Sequence, residues 1–273
     1  MGVFQNNLLA GAAAAASAGG GGFYGYQIEH SARFDADSST KLTKTWGSAA
    51  TDGTKISWSA WIKKSLLSGS NTLLSADDTY THLQFTEYNV NQTLYVQIER
   101  ESNTSSPQAG ITSATFLDTT GWYNIIWVGD SSLSAADQTK LYINGTRITS
   151  FQYALSGRPM SGSDTFAITR NGKEVAIGFK NSTNNLHFDG YMAEVICVDG
   201  QAKNPTDFGE TKNGVWIPIN YSGTYGNNGY RLKFENASDL GNDSSGNNND
   251  FTVANMGADH QVISTPTNGT GSS

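Results

Sequence analysis

The segment that most constrains the fold is Lys140–Ile148, which reads KLYINGTRI. Two alternating apolar and polar runs flank Asn144-Gly145, and both turn residues tolerate positive φ. The segment therefore predicts a β-hairpin closed by a type I′ turn. An isolated hairpin is marginal in water, so it needs further strands to cover its apolar face. The chain supplies them. In ISWSAWIK (Ile56–Lys63), Ile56, Trp58, Ala60 and Ile62 fall on one face. In TLYVQIER (Thr93–Arg100), Leu94, Val96 and Ile98 alternate with Tyr95, Gln97 and Glu99, which predicts one buried and one wet face. WYNIIWVGD (Trp122–Asp130) is apolar on both faces and suits a central strand. EVAIGF (Glu174–Phe179), HFDGYMAEVICV (His187–Val198) and GYRLKFEN (Gly229–Asn236) add three more strands. NPTDFGE (Asn204–Glu210) reads as one short helical turn, with Asn204 at the N-cap and Pro205 at N1.

Many short strands without a long helix indicate an all-β antiparallel sandwich. Its 273 residues, with Trp 6, Tyr 12 and Phe 12, are enough for one sizeable core. Three zones follow from composition. Residues 1–22 form an Ala/Gly-rich anchor and linker, 23–256 the sandwich, and 257–273 an extended C-terminal tail. The apolar anchor side chains are Val3, Phe4, Leu8 and Leu9. A segment of this length is marginal as an isolated helix, so it would order by docking on a partner or on copies of itself. It is too weakly apolar to span a bilayer and has no basic n-region.

A net charge of −7 with no cluster of Lys or Arg disfavours nucleic acid as a partner. Cys197, the single cysteine, lies in the apolar run VICV and reads as an inert buried thiol. The four histidines are scattered without metal-ligand spacing.

In order, SWSAWIKK, GWYNIIWVGD, KLYINGTRI, VAIGF and FDGYMAEV resemble the recurring pieces of laminin-G-like, concanavalin A-like jelly rolls, over roughly Ile28–Phe208. A narrower resemblance is to virion proteins of tailed, especially marine, bacteriophages. It is carried by YQIEHSARFD, FDGYMAEVICVDGQAKNPTDFGE, GVWIPI, NDSSGNNNDFT and TPTN. The D-S-S-G-N-x-N-D piece departs from the pattern, lying at the end of the domain rather than near its start. The resemblance implies a non-enzymatic structural protein on the virion surface, a capsid decoration or fibre subunit, with other virion proteins as partners and self-association into a homo-oligomer. The competing reading is an adhesin that recognises a host-surface glycan. Glucanases of the same fold carry E-x-D-x-x-E, and no glutamate here has an Asp two residues later.

Three sets of residues are candidates for chemistry. Trp46, Trp216, Tyr221 and Tyr225 lie among Gly, Ser and Asn, where exposed rings stack on sugars; the alternative is that they cover an end of the sandwich. Asp239, Asp243, Asn247 and Asp250 offer hard oxygens in a loop, which suits Ca²⁺; the alternative is turn chemistry. Glu194 is expected to share a face with Met192, Ile196 and Val198. Such a carboxylate is either a poised acid or a buried charge held by an Arg, and the second reading is favoured because no second carboxylate sits at motif spacing.

Overall fold

The computed structural model describes residues 22–77, 80–87, 92–100, 103–155, 158–181 and 185–267. The first strands are β1 (Ser31–Phe34), β2 (Lys41–Thr45), β3 (Lys55–Lys64), β4 (Asn71–Ala76), β5 (His82–Thr86) and β6 (Thr93–Arg100). Then come β7 (Asn103–Thr115), β8 (Tyr123–Asp130), β9 (Thr139–Ile143), β10 (Thr146–Arg147), β11 (Phe151–Tyr153) and β12 (Glu174–Ile177). The last are β13 (Gly190–Asp199), β14 (Gly209–Lys212), β15 (Val215–Pro218), β16 (Tyr230–Leu232), β17 (Thr252–Ala254) and β18 (Gln261–Val262). Pairing is antiparallel throughout. No helix among the described residues is long and apolar enough to cross a membrane.

Two large sheets face each other. The first runs β10-β9-β8-β3-β13-β1-β18, with β16 also paired to β13; the second runs β11-β7-β6-β5-β4-β12-β2-β17. This is an all-β antiparallel sandwich. Between the sheets lie Trp58, Ala60 and Ile62 of β3, Ile125 and Trp127 of β8, and Leu94, Val96 and Ile98 of β6, all at 0% exposure. The period-2 pattern selects these side chains because each strand can turn only alternate residues inward. The expected hairpin is present as β9–β10, with φ of 48° at Asn144 and 73° at Gly145. NPTDFGE forms a one-turn 3-10 helix at Pro205–Asp207, where the Asn204 amide donates to the Asp207 carboxylate at 2.9 Å.

β13 changes partners along its length. Residues Gly190–Met192 pair with β1, and Val195–Cys197 with β16. Between them the register against β3 shifts by one residue, and Glu194 takes a φ of 48°. An extra residue in one strand reverses the alternation downstream. Met192, Val195 and Cys197 face the core, whereas Ala193, Ile196 and Val198 face outward. The expected sharing of one face by Glu194 and Met192 is therefore corrected: the bulge places Met192 inside and Glu194 on the outer side. Cys197 is fully buried and burial pushes its thiol pKa up, as an inert core thiol requires.

Lys64 ends β3 with its side chain inside. Its ammonium donates to the Gln92 side chain and to Phe116 O at 3.1 Å, and lies 4.2 Å from the Phe85 ring centroid. Burial pulls its pKa down to about 7, against an opposing pull from Glu87. After Gly257, β18 pairs with β1, and the Thr267 hydroxyl accepts the Ile28 amide proton at 2.9 Å. A 3-10 turn at Ala258–His260 precedes β18, and the Ser31 hydroxyl donates to Ser264 O at 2.6 Å.

Candidate functional site

The outer face of the first sheet is divided in two. One half carries Ile126, Val128, Ile196 and Val198, and a second layer covers it: the β14–β15 hairpin together with Phe208, Tyr221 and Tyr225. Trp216 of β15 reaches into the sheet, and its indole N–H donates to Asn124 Oδ1 at 2.9 Å. It lies against Gly145 and Gly209, where any Cβ would overlap its ring. The Asn-Gly turn thus serves two purposes. It closes the hairpin, and its missing side chain admits the tryptophan.

At the junction of β1, β13 and β16 a buried polar knot fastens this layer. Arg231 forms an ion pair with Glu194, its Nε donating to Oε1 at 2.6 Å. Its Nη2 also donates to Tyr26 Oη at 3.0 Å and Asn220 Oδ1 at 2.9 Å, while Tyr26 donates to Glu194 Oε2 at 2.9 Å. Burial raises the Glu194 carboxyl above its usual range, and Arg231 opposes that rise. The expected buried carboxylate held by an arginine is what the structure contains. The recess beside it measures about 70 Å³ and is lined by Tyr26, Ile28, Glu194 and Lys233.

The other half of this face buries Ile28, Trp61 and Ala193 beneath Tyr26, Trp122 and Trp216, and carries a row in cross-strand register that stays partly exposed. Arg33 of β1 stands opposite Tyr191 of β13, which stands opposite Lys63 of β3. Continuing the Ile62–Tyr123 register by one residue places Trp122 opposite Lys63. The strands are about 4.8 Å apart, so the row spans about 14 Å. Arg33 is exposed, and Tyr191, Lys63 and Trp122 are partly exposed. The Trp122 and Tyr191 rings lean together across Lys63, their centroids 6.5 Å apart, and the Lys63 ammonium lies 5.8 Å from the Tyr191 centroid. Among the described residues Lys63 has no carboxylate within ion-pair distance, and neither the Trp122 indole N–H nor the Tyr191 hydroxyl has a hydrogen bond. An amphipathic surface of this kind stacks on planar or C–H faces and offers cations to anions.

A second concavity, about 320 Å³, opens at the sandwich edge between Thr139, Arg147, Ile148, Phe151 and Leu155. Its one guanidinium is already held by Asp137 at 2.8 Å and Ala136 O at 3.1 Å.

A laminin-G-type family model, described as the concanavalin A-like lectin/glucanases superfamily, matches residues 34–207, well over half of the chain. The chain belongs to the concanavalin A-like lectin/glucanases superfamily. No curated protein matches its sequence at a significant level. Among solved structures, a candidate carbohydrate binding protein from Bacteroides ovatus aligns over 85% of this chain at 15% identity, with a TM-score of 0.55. The chain spans 61% of that protein's length. Domains LG4-5 of the mouse laminin alpha1 chain align at 11% identity over 72% of this chain and 46% of that one, with a TM-score of 0.43. Tailspike protein 2 of an Escherichia coli O157:H7 bacteriophage aligns at 16% identity over 64% of this chain and 23% of that one, with a TM-score of 0.42. At these identities the likeness is one of fold.

Within this concanavalin A-like domain the aromatic set expected from sequence is only partly assembled. Trp46 is a core residue, 2% exposed, donating its N–H to Ile168 O at 2.8 Å and stacking on Tyr230. Its assignment to a glycan surface is corrected, because a ring enclosed by the two sheets presents no face. Trp216, Tyr221 and Tyr225 do come together, as the cover: Tyr221 stacks on Phe208 at 5.4 Å and its hydroxyl donates to Thr224 O at 2.9 Å. Arg33, Lys63, Trp122 and Tyr191 fall inside YQIEHSARFD, SWSAWIKK, GWYNIIWVGD and FDGYMAEV, four separate segments, and nothing in those motifs marks them as one binding surface. Their one local signal is that each falls on an outward position of its strand.

The loop with Asp239, Asp243, Asn247 and Asp250 is held by its own backbone. Asp243 accepts from the amides of Arg231, Ser245 and Asn249 at 2.9 Å each, Asp250 from the Asp243 amide at 2.8 Å, and Asp239 from the Gly241 amide at 3.1 Å. Asn247 donates to Gly226 O at 2.7 Å and Gly229 O at 3.0 Å. Among the described residues no group of three acidic, His or Cys side chains converges as a metal site. The calcium assignment is corrected to turn chemistry, since these oxygens point at local N–H groups. The anchor residues Val3, Phe4, Leu8 and Leu9 lie outside the described residues.

Proposed function

We propose that this protein is a lectin-like carbohydrate-binding module without catalysis of its own. The observation that carries the reading is the Trp122–Tyr191 pair on the row-bearing half of the first sheet, two partly exposed rings in register with no hydrogen-bond partner among the described residues. Rings in this setting bind sugar by stacking on its C–H faces. The B. ovatus protein supports the reading by its shared fold and its candidate carbohydrate binding. The non-catalytic part rests on the missing paired-carboxylate motif and on Glu194 being tied to Arg231. A glycan array followed by calorimetry on the strongest hit tests it. Trp122→Ala is expected to weaken that hit at least about tenfold, equal to 1.4 kcal/mol. An array with no hit, or a hit insensitive to Trp122→Ala, overturns the site. Hydrolysis of a β-glucan overturns the non-catalytic part.

The resemblance of YQIEHSARFD, FDGYMAEVICVDGQAKNPTDFGE and NDSSGNNNDFT to phage virion proteins favours a more specific setting. In it, residues 1–22 attach the module to a virion beside other virion proteins and the sandwich is displayed at the particle surface as a host-recognition adhesin. Antibody labelling of particles in the electron microscope tests this; particles that never carry the chain rule it out. Continued incorporation of a chain lacking residues 1–22 rules out the leader as the anchor.

A further inference from the structure

The cross-strand row has an order as well as a composition. Across β1, β13, β3 and the residue before β8 it reads cation, ring, cation, ring: Arg33, Tyr191, Lys63, Trp122. We infer that its ligand is an acidic oligosaccharide, carrying carboxylate or sulfate groups, that lies across the strands rather than along them. The inference rests on the carbohydrate reading and names the substrate class of the same face.

Three physical points lead there. First, rings and cations are interleaved along the row, with the Trp122 and Tyr191 rings 6.5 Å apart and Lys63 and Arg33 beside them, which suits an oligosaccharide that carries both C–H faces and anions. Each ring face meets an aromatic while each anion meets an ammonium or guanidinium. Second, the row contains no Asn, Asp, Gln or Glu, the side chains that hydrogen-bond neutral hydroxyls; its polar groups are two cationic donors, an indole N–H and a phenol. Third, the chain as a whole carries −7, so its general field repels anions. A row with two cations and no acid is where an acidic ligand meets a complementary potential.

Asp35 and Asp189, which flank the row, are engaged. Asp35 accepts from the amides of Asp37 and Ser38 at 3.0 and 3.2 Å and pairs with Arg33 at 3.6 Å. Asp189 accepts from the Ala36 amide at 3.4 Å. Arg33 has five donors, so an ion pair with Asp35 leaves others directed outward for a second anion. A span of about 14 Å exceeds a single sugar ring, so affinity grows with chain length until the row is filled.

The test is calorimetry on the full chain with three acidic probes: a uronate trimer (oligogalacturonate), a heparin-derived sulfated oligosaccharide and a sialyl-oligosaccharide. Each is paired with its neutral counterpart (methyl ester or desulfated form), and a dT oligonucleotide is a further probe. The expected result is that at least one acidic probe binds at least tenfold more tightly than its neutral form, with the advantage falling as salt rises. Lys63→Gln and Arg33→Gln each lower affinity for the acidic form about five- to tenfold and leave the neutral form unchanged; Trp122→Ala lowers both. Equal affinity for acidic and neutral forms, with Trp122→Ala still weakening both, overturns the acidic inference and leaves the carbohydrate reading standing. Binding of neutral array glycans alone has the same meaning. No binding of any saccharide overturns both. Row-dependent binding of dT alone replaces both with a stacking site for single-stranded nucleic acid. Unchanged melting temperatures of the Gln variants establish that a lost signal is not unfolding.

Discussion

The two halves of the first sheet's outer face both carry aromatic side chains, and they use them in opposite ways. On the half over β8 and the end of β13, Trp216 and Tyr221 have their polar atoms tied to Asn124 and Thr224 O, and their rings seal Ile126, Val128 and Ile196. On the half over β1 and the start of β13, Trp122 and Tyr191 have no such ties among the described residues. Trp122 also packs on Ile28, Trp61 and Ala193, so what sets the second pair apart is that its polar atoms are left to meet solvent or a ligand. The same contrast recurs within two adjacent residues. Lys63 points outward beside Tyr191, while Lys64 points inward over Phe85.

The contrast is broken most severely at the knot that separates the halves. Arg231→Met leaves Glu194 buried without its cation and is expected to cost about 3–5 kcal/mol in urea denaturation. The sign with pH follows: an unpaired buried carboxyl has its folded pKa above the unfolded value, so this variant gains stability as pH falls. A loss below about 1 kcal/mol refutes the knot as the fastening of the cover. Next in size, Gly145→Ala requires an L-residue at a φ of 73° and places a Cβ in the Trp216 ring. About 1–3 kcal/mol should be lost. In a Trp216→Ala background only the backbone part should remain, and additivity in that double-mutant cycle sinks the coupling.

Lys64→Met sharpens the lysine pair. The folded pKa of about 7 lies below the unfolded 10.5, so between those values the unfolded chain binds more protons. Wild-type stability therefore rises with pH across that window. Lys64→Met should be more stable at pH 7 and lose that part of the slope; an identical slope in the variant shows that Lys64 is not its source. The smallest expected effect is on the row-bearing half. Lys63→Gln should change stability by no more than about 0.5 kcal/mol, measured by thermal melting, because it removes no packed contact. A larger loss shows that Lys63 is structural like its neighbour.

Much of the fold was legible because strand alternation and turn chemistry are local. Asn144-Gly145 announced its hairpin, and Ile56, Trp58, Ala60 and Ile62 announced their face, from spacing of two residues. The bulge at Glu194 was not legible, since nothing in MAEVICV marks the residue where β13 exchanges β1 for β16. The aromatic candidates failed in an instructive way. Trp46 stands among Gly, Ser and Ala like a surface ring, yet it is enclosed by Tyr230 and Phe251, which follow about two hundred residues later.

By itself the sequence determined that the chain folds as an antiparallel sandwich and, where a strand runs without a bulge, which of its side chains turn inward, because period-2 alternation is a property of the strand. Only the tertiary structure decided which outward-facing side chains meet. Arg33, Lys63, Trp122 and Tyr191 come from four separate segments, and register between non-neighbouring strands brings them into one row. The covering layer decided the rest: it closed one half of the face and left the row partly exposed on the other.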